Sequence, residues 1–242
     1  MTSGLSRAVA YRAGYVLWAT AFLAWSTAYG AESDGQLWAT GRVNVPIGER
    51  LALSMFAQGR IADDISASDV WLLRPAIGYR VWESVWLGAG YDYFRLIDRG
   101  DEHRFWQEVA LPFQFGDFVM SNRVRVEERW ISDLDGVLVR ARYRNRCAHP
   151  LAETPLYLVF ANEVFVNIND LGSGPQHGFE QNRLAGGVGV HLGSLLRSEV
   201  GYQWRYLDRR GPDRNDHILT ISFFLDTRGK PKQVPTPEEG HH

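Results

Sequence analysis

The chain has 242 residues, with 26 Lys+Arg against 28 Asp+Glu, 45% hydrophobic residues and 13% aromatics. That is too apolar and too aromatic for a disordered chain, and too near neutrality for a protein held to nucleic acid by a basic face. A single cysteine, Cys147, excludes an intramolecular disulfide framework and a cysteine-rich zinc site.

Residues 1–30 read as a secretory signal peptide. Arg7 and Arg12 lie in a segment without acids, an apolar stretch follows from Ala13 to Trp25, and Ala28 and Gly30 place small residues for cleavage after Gly30. The apolar stretch falls short of the roughly 20 residues that a helix needs to span a bilayer. The mature chain is expected to begin near Ala31.

Beyond it the pattern is alternation with period two, interrupted by turn signals, rather than a helical repeat. In chain order the predicted strands are 35–45, 51–62, 70–82, 85–97, 104–115, 118–131, 138–146, 155–169, 180–192, 195–208 and 216–226. Most are about twice the usual globular length of about five or six residues, and near the 9–11 that a tilted strand needs to cross a bilayer. Short turns at Pro46-Ile47-Gly48-Glu49, Glu83-Ser84, Gly116-Asp117 and Gly193-Ser194 alternate with longer polar loops at 63–69, 98–103, 170–179 and 209–215. Short turns at one end and longer loops at the other are the pattern of outer-membrane barrels, with the short turns in the periplasm. An odd number of alternating strands conflicts with the even counts usual in bacterial barrels. An up-and-down antiparallel transmembrane β-barrel of 10 or 12 strands, over residues 31–226, is therefore expected. Residues 227–242, rich in Pro, Lys and Glu, read as a disordered tail.

The two faces of the strands differ sharply. In 118–131, Ser121, Arg123, Arg125, Glu127 and Arg129 oppose Met120, Asn122, Val124, Val126, Glu128 and Trp130. Arg140, Arg142, Arg144 and Arg146 share a face of the next strand, Glu163 lies with Phe165 and Asn167, and Arg183 and Glu199 continue the polar side. Of the 26 basic residues, all but Lys230 and Lys232 are arginine, whose planar fork suits bidentate pairing with carboxylates. The residues expected to line a lumen are Arg123, Arg125, Glu127, Arg129, Arg140, Arg142, Arg144, Glu163, Arg183 and Glu199. Trp130, Trp204, Tyr206 and Phe223 near the ends of the apolar face fit interfacial girdles.

Gly90-Tyr91-Asp92-Tyr93, Glu102-His103-Arg104-Phe105-Trp106-Gln107 and Asn122-Arg123-Val124-Arg125-Val126-Glu127-Glu128-Arg129 resemble the domain-of-unknown-function 2490 family of bacterial proteins. Arg140-Ala141-Arg142-Tyr143-Arg144, Asn162-Glu163-Val164-Phe165-Val166-Asn167, Gln181-Asn182-Arg183 and Gly201-Tyr202 continue the likeness in order, over about residues 35–226. The resemblance implies an outer-membrane β-barrel of a Gram-negative bacterium, of uncharacterised role, and transfers no catalytic residue. Outer-membrane lipids and the barrel-assembly machinery are its expected partners. One departure stands out: the aromatic end of such barrels is here Phe223-Phe224-Leu225-Asp226, followed by the tail.

No nucleophile constellation, phosphate loop, metal spacing or cofactor motif is read. His191 with Ser194, and His217 with Ser222, are the His–Ser combinations that could be assembled on paper. Gly186-Gly187-Val188-Gly189 lies within a strand pattern, where it marks close packing, a bend or room for a large neighbour rather than a phosphate site. The first functional class is a non-enzymatic scaffold or narrow porin-like channel with an Arg/Glu-lined lumen. An outer-membrane lipid-modifying enzyme and a secreted soluble barrel around an apolar ligand are the alternatives.

Overall fold

The computed structural model describes residues 32–97, 100–172 and 174–227. The predicted signal peptide and nearly all of the predicted tail lie outside these residues. Eleven strands run in chain order: β1 (Glu32–Ile47), β2 (Leu51–Ala62), β3 (Ala67–Trp82), β4 (Val85–Leu96), β5 (Gly100–Phe115), β6 (Phe118–Ile131), β7 (Leu138–Pro150), β8 (Leu156–Asn167), β9 (Gly178–Leu192), β10 (Leu196–Leu207) and β11 (Arg214–Asp226). Each pairs antiparallel with the next, and β1 pairs with β11, closing the sheet. Closure leaves no strand edge with unpaired backbone groups.

The expectation of 10 or 12 strands is corrected: the barrel has eleven. Consecutive antiparallel strands reverse direction at every step. An odd number therefore brings the first and last strands together pointing the same way, and the seam must be parallel. The register of that seam runs without a break from Glu32↔Arg214 to Asn44↔Asp226. Its two ends are tied further. Asn44 donates from Nδ2 to Asp226 Oδ1 at 2.8 Å, and Arg214 donates to Asp34.

Several strands are longer than predicted, and β1, β3 and β5 reach 16 residues each. The predicted loop over 98–103 shrinks because β5 starts at Gly100. Turns over 48–50, 83–84, 116–117 and 193–195 gather at one end, and connections over 132–137, 168–177 and 208–213 at the other.

Alternate side chains of a strand point to opposite faces of the sheet, so closure sorts the whole sequence into an inner and an outer set. The outer set is mainly apolar: Trp71 is 59% exposed, Val124 52% and Phe160 51%. The inner set is polar. Apolar side chains enter it mainly as small clusters, such as Trp86 between Ala52 and Ala110 beside the short turns. The Gly186-Gly187-Val188-Gly189 run does make room: Gly189 pairs with Tyr157, whose ring occupies the space a Cβ would need, 2.0 Å away. Trp106 lies over Gly90 in the same way, at 2.3 Å. Both rings are thereby laid flat along the inner wall.

Candidate functional site

The interior of the barrel is the candidate site. Of the residues expected to line a lumen, Arg123, Arg125, Glu127, Arg129, Arg140, Arg142 and Glu163 are buried, and Arg144, Arg183 and Glu199 line the cavity described below. Arg123, Arg125, Glu127 and Arg129 come from β6, Arg140, Arg142 and Arg144 from β7, Glu163 from β8, Arg183 from β9 and Glu199 from β10. Glu127 is 0% exposed and Arg125 2%. Burying charges from water is costly unless they are paired and hydrogen-bonded, and the pairing is dense.

Glu127 sits at the centre. Arg140 donates to its Oε2 from Nη2 at 2.5 Å and from Nε at 3.0 Å, and Arg142 donates to its Oε1. Arg142 also reaches Glu163 Oε1 from Nη2 at 2.7 Å, where Arg123 Nη2 donates at 2.8 Å. Arg123 stands 3.7 Å from Glu108, which Arg125 grips from Nε at 2.7 Å. On the other side, Arg140 and Arg129 share Glu180, at 2.6 and 3.0 Å, and Arg129 and Arg104 share Glu102, at 2.5 and 2.7 Å. The result is one continuous network, Arg104–Glu102–Arg129–Glu180–Arg140–Glu127–Arg142–Glu163–Arg123–Glu108–Arg125.

Three of the predicted residues, Glu199, Arg183 and Arg144, are not links of that chain. Glu199 accepts from Arg146 at 2.6 Å, Arg197 at 2.8 Å and the Tyr157 hydroxyl at 2.9 Å, on a separate node. Arg183 stacks 4.6 Å from the Phe165 ring centre and 5.2 Å from that of Trp38. Arg144 is opposite Glu163 in register.

Sequence reasoning missed Glu102, Glu108 and Glu180, although each closes the network. The signal was present for the first two. Glu102, Arg104, Trp106 and Glu108 alternate along β5 just as the β6 residues do. Asp92 was missed as well. It takes Arg74 bidentately at 2.6 and 2.7 Å and the Trp106 Nε1 hydrogen at 2.7 Å.

Beside the network lies a cavity of about 210 Å³, lined by ten arginines and only two glutamates, Glu163 and Glu199. Thr40, Gln58, Gln203, Thr220 and Ser222 are its uncharged polar lining, beside apolar residues such as Trp38, Phe56 and Phe165. Part of this charge is paired, as in Arg74 with Asp92 and Arg104 with Glu102; the lining still holds more guanidinium groups than carboxylates, and guanidinium forks are suited to carboxylate or phosphate oxygens.

His217 and Ser222 do not form a catalytic pair. His217 is on the outer face against the Tyr202 hydroxyl at 2.6 Å, whereas Ser222 lines the cavity. His191 packs its ring 5.1 Å from that of Tyr157. Tyr206, expected in an exposed girdle, is 7% exposed, because its hydroxyl turns to Asp213 at 2.6 Å and its ring stacks on Trp204 and Phe179.

These features define a class: a small closed β-barrel with an ion-paired, arginine-rich interior and an apolar exterior. Residues 35–216 match the family described as protein of unknown function DUF2490, and the chain belongs to that family. An uncharacterized protein of Methylorubrum extorquens is 32% identical over 201 residues, covering 79% of this chain and 87% of its own length. Among solved structures, the NanC porin in a rhombohedral crystal form is similar with a TM-score of 0.48 at 11% identity, over 74% of this chain and 89% of that one.

Proposed function

We propose that the chain is an outer-membrane barrel whose apolar outer face meets lipid and whose interior is a narrow passage favouring small anions. The observation that carries this reading is the inversion of polarity between the faces. Glu127, 0% exposed, lies inside the wall, and its strand neighbour Val126 is outward and 37% exposed. A soluble barrel around an apolar ligand calls for the opposite arrangement, because large exposed apolar surfaces are rare on soluble monomers. On this reading the short turns face the periplasm, and β1 begins and β11 ends at opposite mouths.

The anion preference follows from the cavity's ten arginines and two glutamates. Charged rings in narrow pores select ions by sign. A barrel of this size is largely filled by its own side chains, and the network occupies the β5–β9 side. A closed scaffold is the second reading, favoured by Trp86 packed between Ala52 and Ala110 at the short-turn end.

Reconstitution in planar bilayers under a salt gradient tests both. A small conductance with an anion-selective reversal potential supports the passage. A silent barrel that is correctly folded points to the scaffold. Recovery of the protein in the soluble periplasmic fraction overturns the membrane reading altogether.

A further inference from the structure

The outer face is not uniformly apolar. Around β1–β4 and β11 its mid-strand positions are aliphatic, aromatic or small, as in Ala57, Leu73, Ala89, Tyr91 and Ile221. On β6, β7 and β8 it carries amides instead. Asn122, Asn145 and Asn162 are successive cross-strand partners. Asn145 is the eighth of thirteen residues in β7 and Asn162 the seventh of twelve in β8, so the row lies near mid-strand and away from the polar rims. Tyr143 and Asn145 both donate to Asn122 Oδ1 at 2.8 Å, and Asn162 Nδ2 donates to Asn182 Oδ1 at 2.7 Å.

These bonds use only part of the hydrogen-bonding capacity of the row. Each amide offers two N–H donors and an acceptor oxygen. Among the described residues no side-chain or backbone hydrogen bond reaches Asn122 Nδ2, Asn145 Oδ1 or Asn162 Oδ1. All three residues belong to the outward-facing set of their strands and are partly exposed. Hydrocarbon tails provide no partner for such groups, and polar side chains within membranes gather where protein meets protein.

We propose that this amide row is the contact surface for a second copy of the same chain, side by side in the membrane. The inference rests on the membrane reading above. The row is uncharged, so it has nothing to attract an anionic lipid headgroup, and headgroups lie at the rims rather than at mid-height. It is self-complementary. In a two-fold contact the same patch faces itself, and an amide that presents both a donor and an acceptor can bond to its own counterpart. Val124, Phe160 and Val164 flank it, giving the contact an apolar surround.

The test uses the full chain in native outer membranes, in a Cys147→Ala background. Val124→Cys lies on the outer face of β6 beside the row, and Leu53→Cys lies on β2 at the far side of the barrel. A membrane-permeant bifunctional thiol reagent should give a species of twice the monomer mass with Val124→Cys and none with Leu53→Cys. Adding Asn145→Leu and Asn162→Leu should abolish that species while the heat-dependent gel shift of a folded barrel persists. A membrane-embedded protein that yields only monomer overturns the dimer and leaves the membrane reading intact. So does equal cross-linking from Leu53→Cys, or a product whose mass shows a different partner. A protein absent from the membrane fraction overturns the membrane reading itself.

Discussion

Glu127 and Arg140 face each other directly across β6 and β7, and two nitrogens of the guanidinium converge on a single carboxylate oxygen, at 2.5 and 3.0 Å. Arg142 takes the other oxygen. One fully buried carboxylate thus compensates two arginines that would otherwise repel each other inside the wall.

Removing it leaves both cations under-paired. Glu127→Ala is predicted to cost about 3–5 kcal/mol, the usual penalty for breaking a buried pair from one side. Chemical denaturation in detergent micelles, followed by tryptophan fluorescence, measures it. The pair Arg95–Asp101 provides the contrast, since its side chains are 58% and 28% exposed. Asp101→Ala is expected to cost no more than about 1 kcal/mol. Equal midpoints for the two variants would count against the network as a stabilising element.

A second prediction concerns the rings laid on glycine. A Cβ at Gly90 would stand 2.3 Å from the Trp106 ring and 2.8 Å from the Pro75 carbonyl oxygen. Gly90→Ala must then push Trp106 away from Asp92 and from Arg125, whose guanidinium lies 3.7 Å from the ring centre. Overpacking of this kind costs about 1–3 kcal/mol. A reduced near-ultraviolet circular dichroism signal with retained strand content is the expected readout, and wild-type spectra would refute the close approach.

The parallel seam is testable by its register. Ala39 is paired with Ile221, so cysteines at these two positions, in a Cys147→Ala background, should oxidise to an intramolecular disulfide. Cysteines at Ala39 and Phe223 should not, because two residues of strand separate them from register and a disulfide tolerates Cα separations only up to about 7 Å. The reverse result would mean that the barrel closes differently.

The anion preference has its own variant. Arg60 and Arg183 line the cavity, and Arg60 stacks 4.0 Å from the Trp38 ring centre. Replacing both by glutamate should move the reversal potential toward that of the cation. An unchanged selectivity in a conducting double variant would place the selecting charges elsewhere.

Alternation along each strand was legible in the sequence by itself, and with it the inner or outer placement of Arg123, Arg125, Glu127, Arg140, Arg142 and Glu163. This is local information, since side chains two residues apart share a face whatever the sheet goes on to do. The family membership was legible for the same reason, in short runs such as residues 122–129. Two things were decided only by tertiary structure. The first is how the sheet closes: strand alternation is blind to whether the first and last strands meet, and only closure turned an odd count into a parallel seam between Glu32–Asn44 and Arg214–Asp226. The second is which charges find each other. Glu180 reaches Arg129 and Arg140 from sequence separations of 51 and 40 residues. That pairing depends on barrel curvature and on how far a long side chain extends across the interior, and neither is encoded in the period of any one strand.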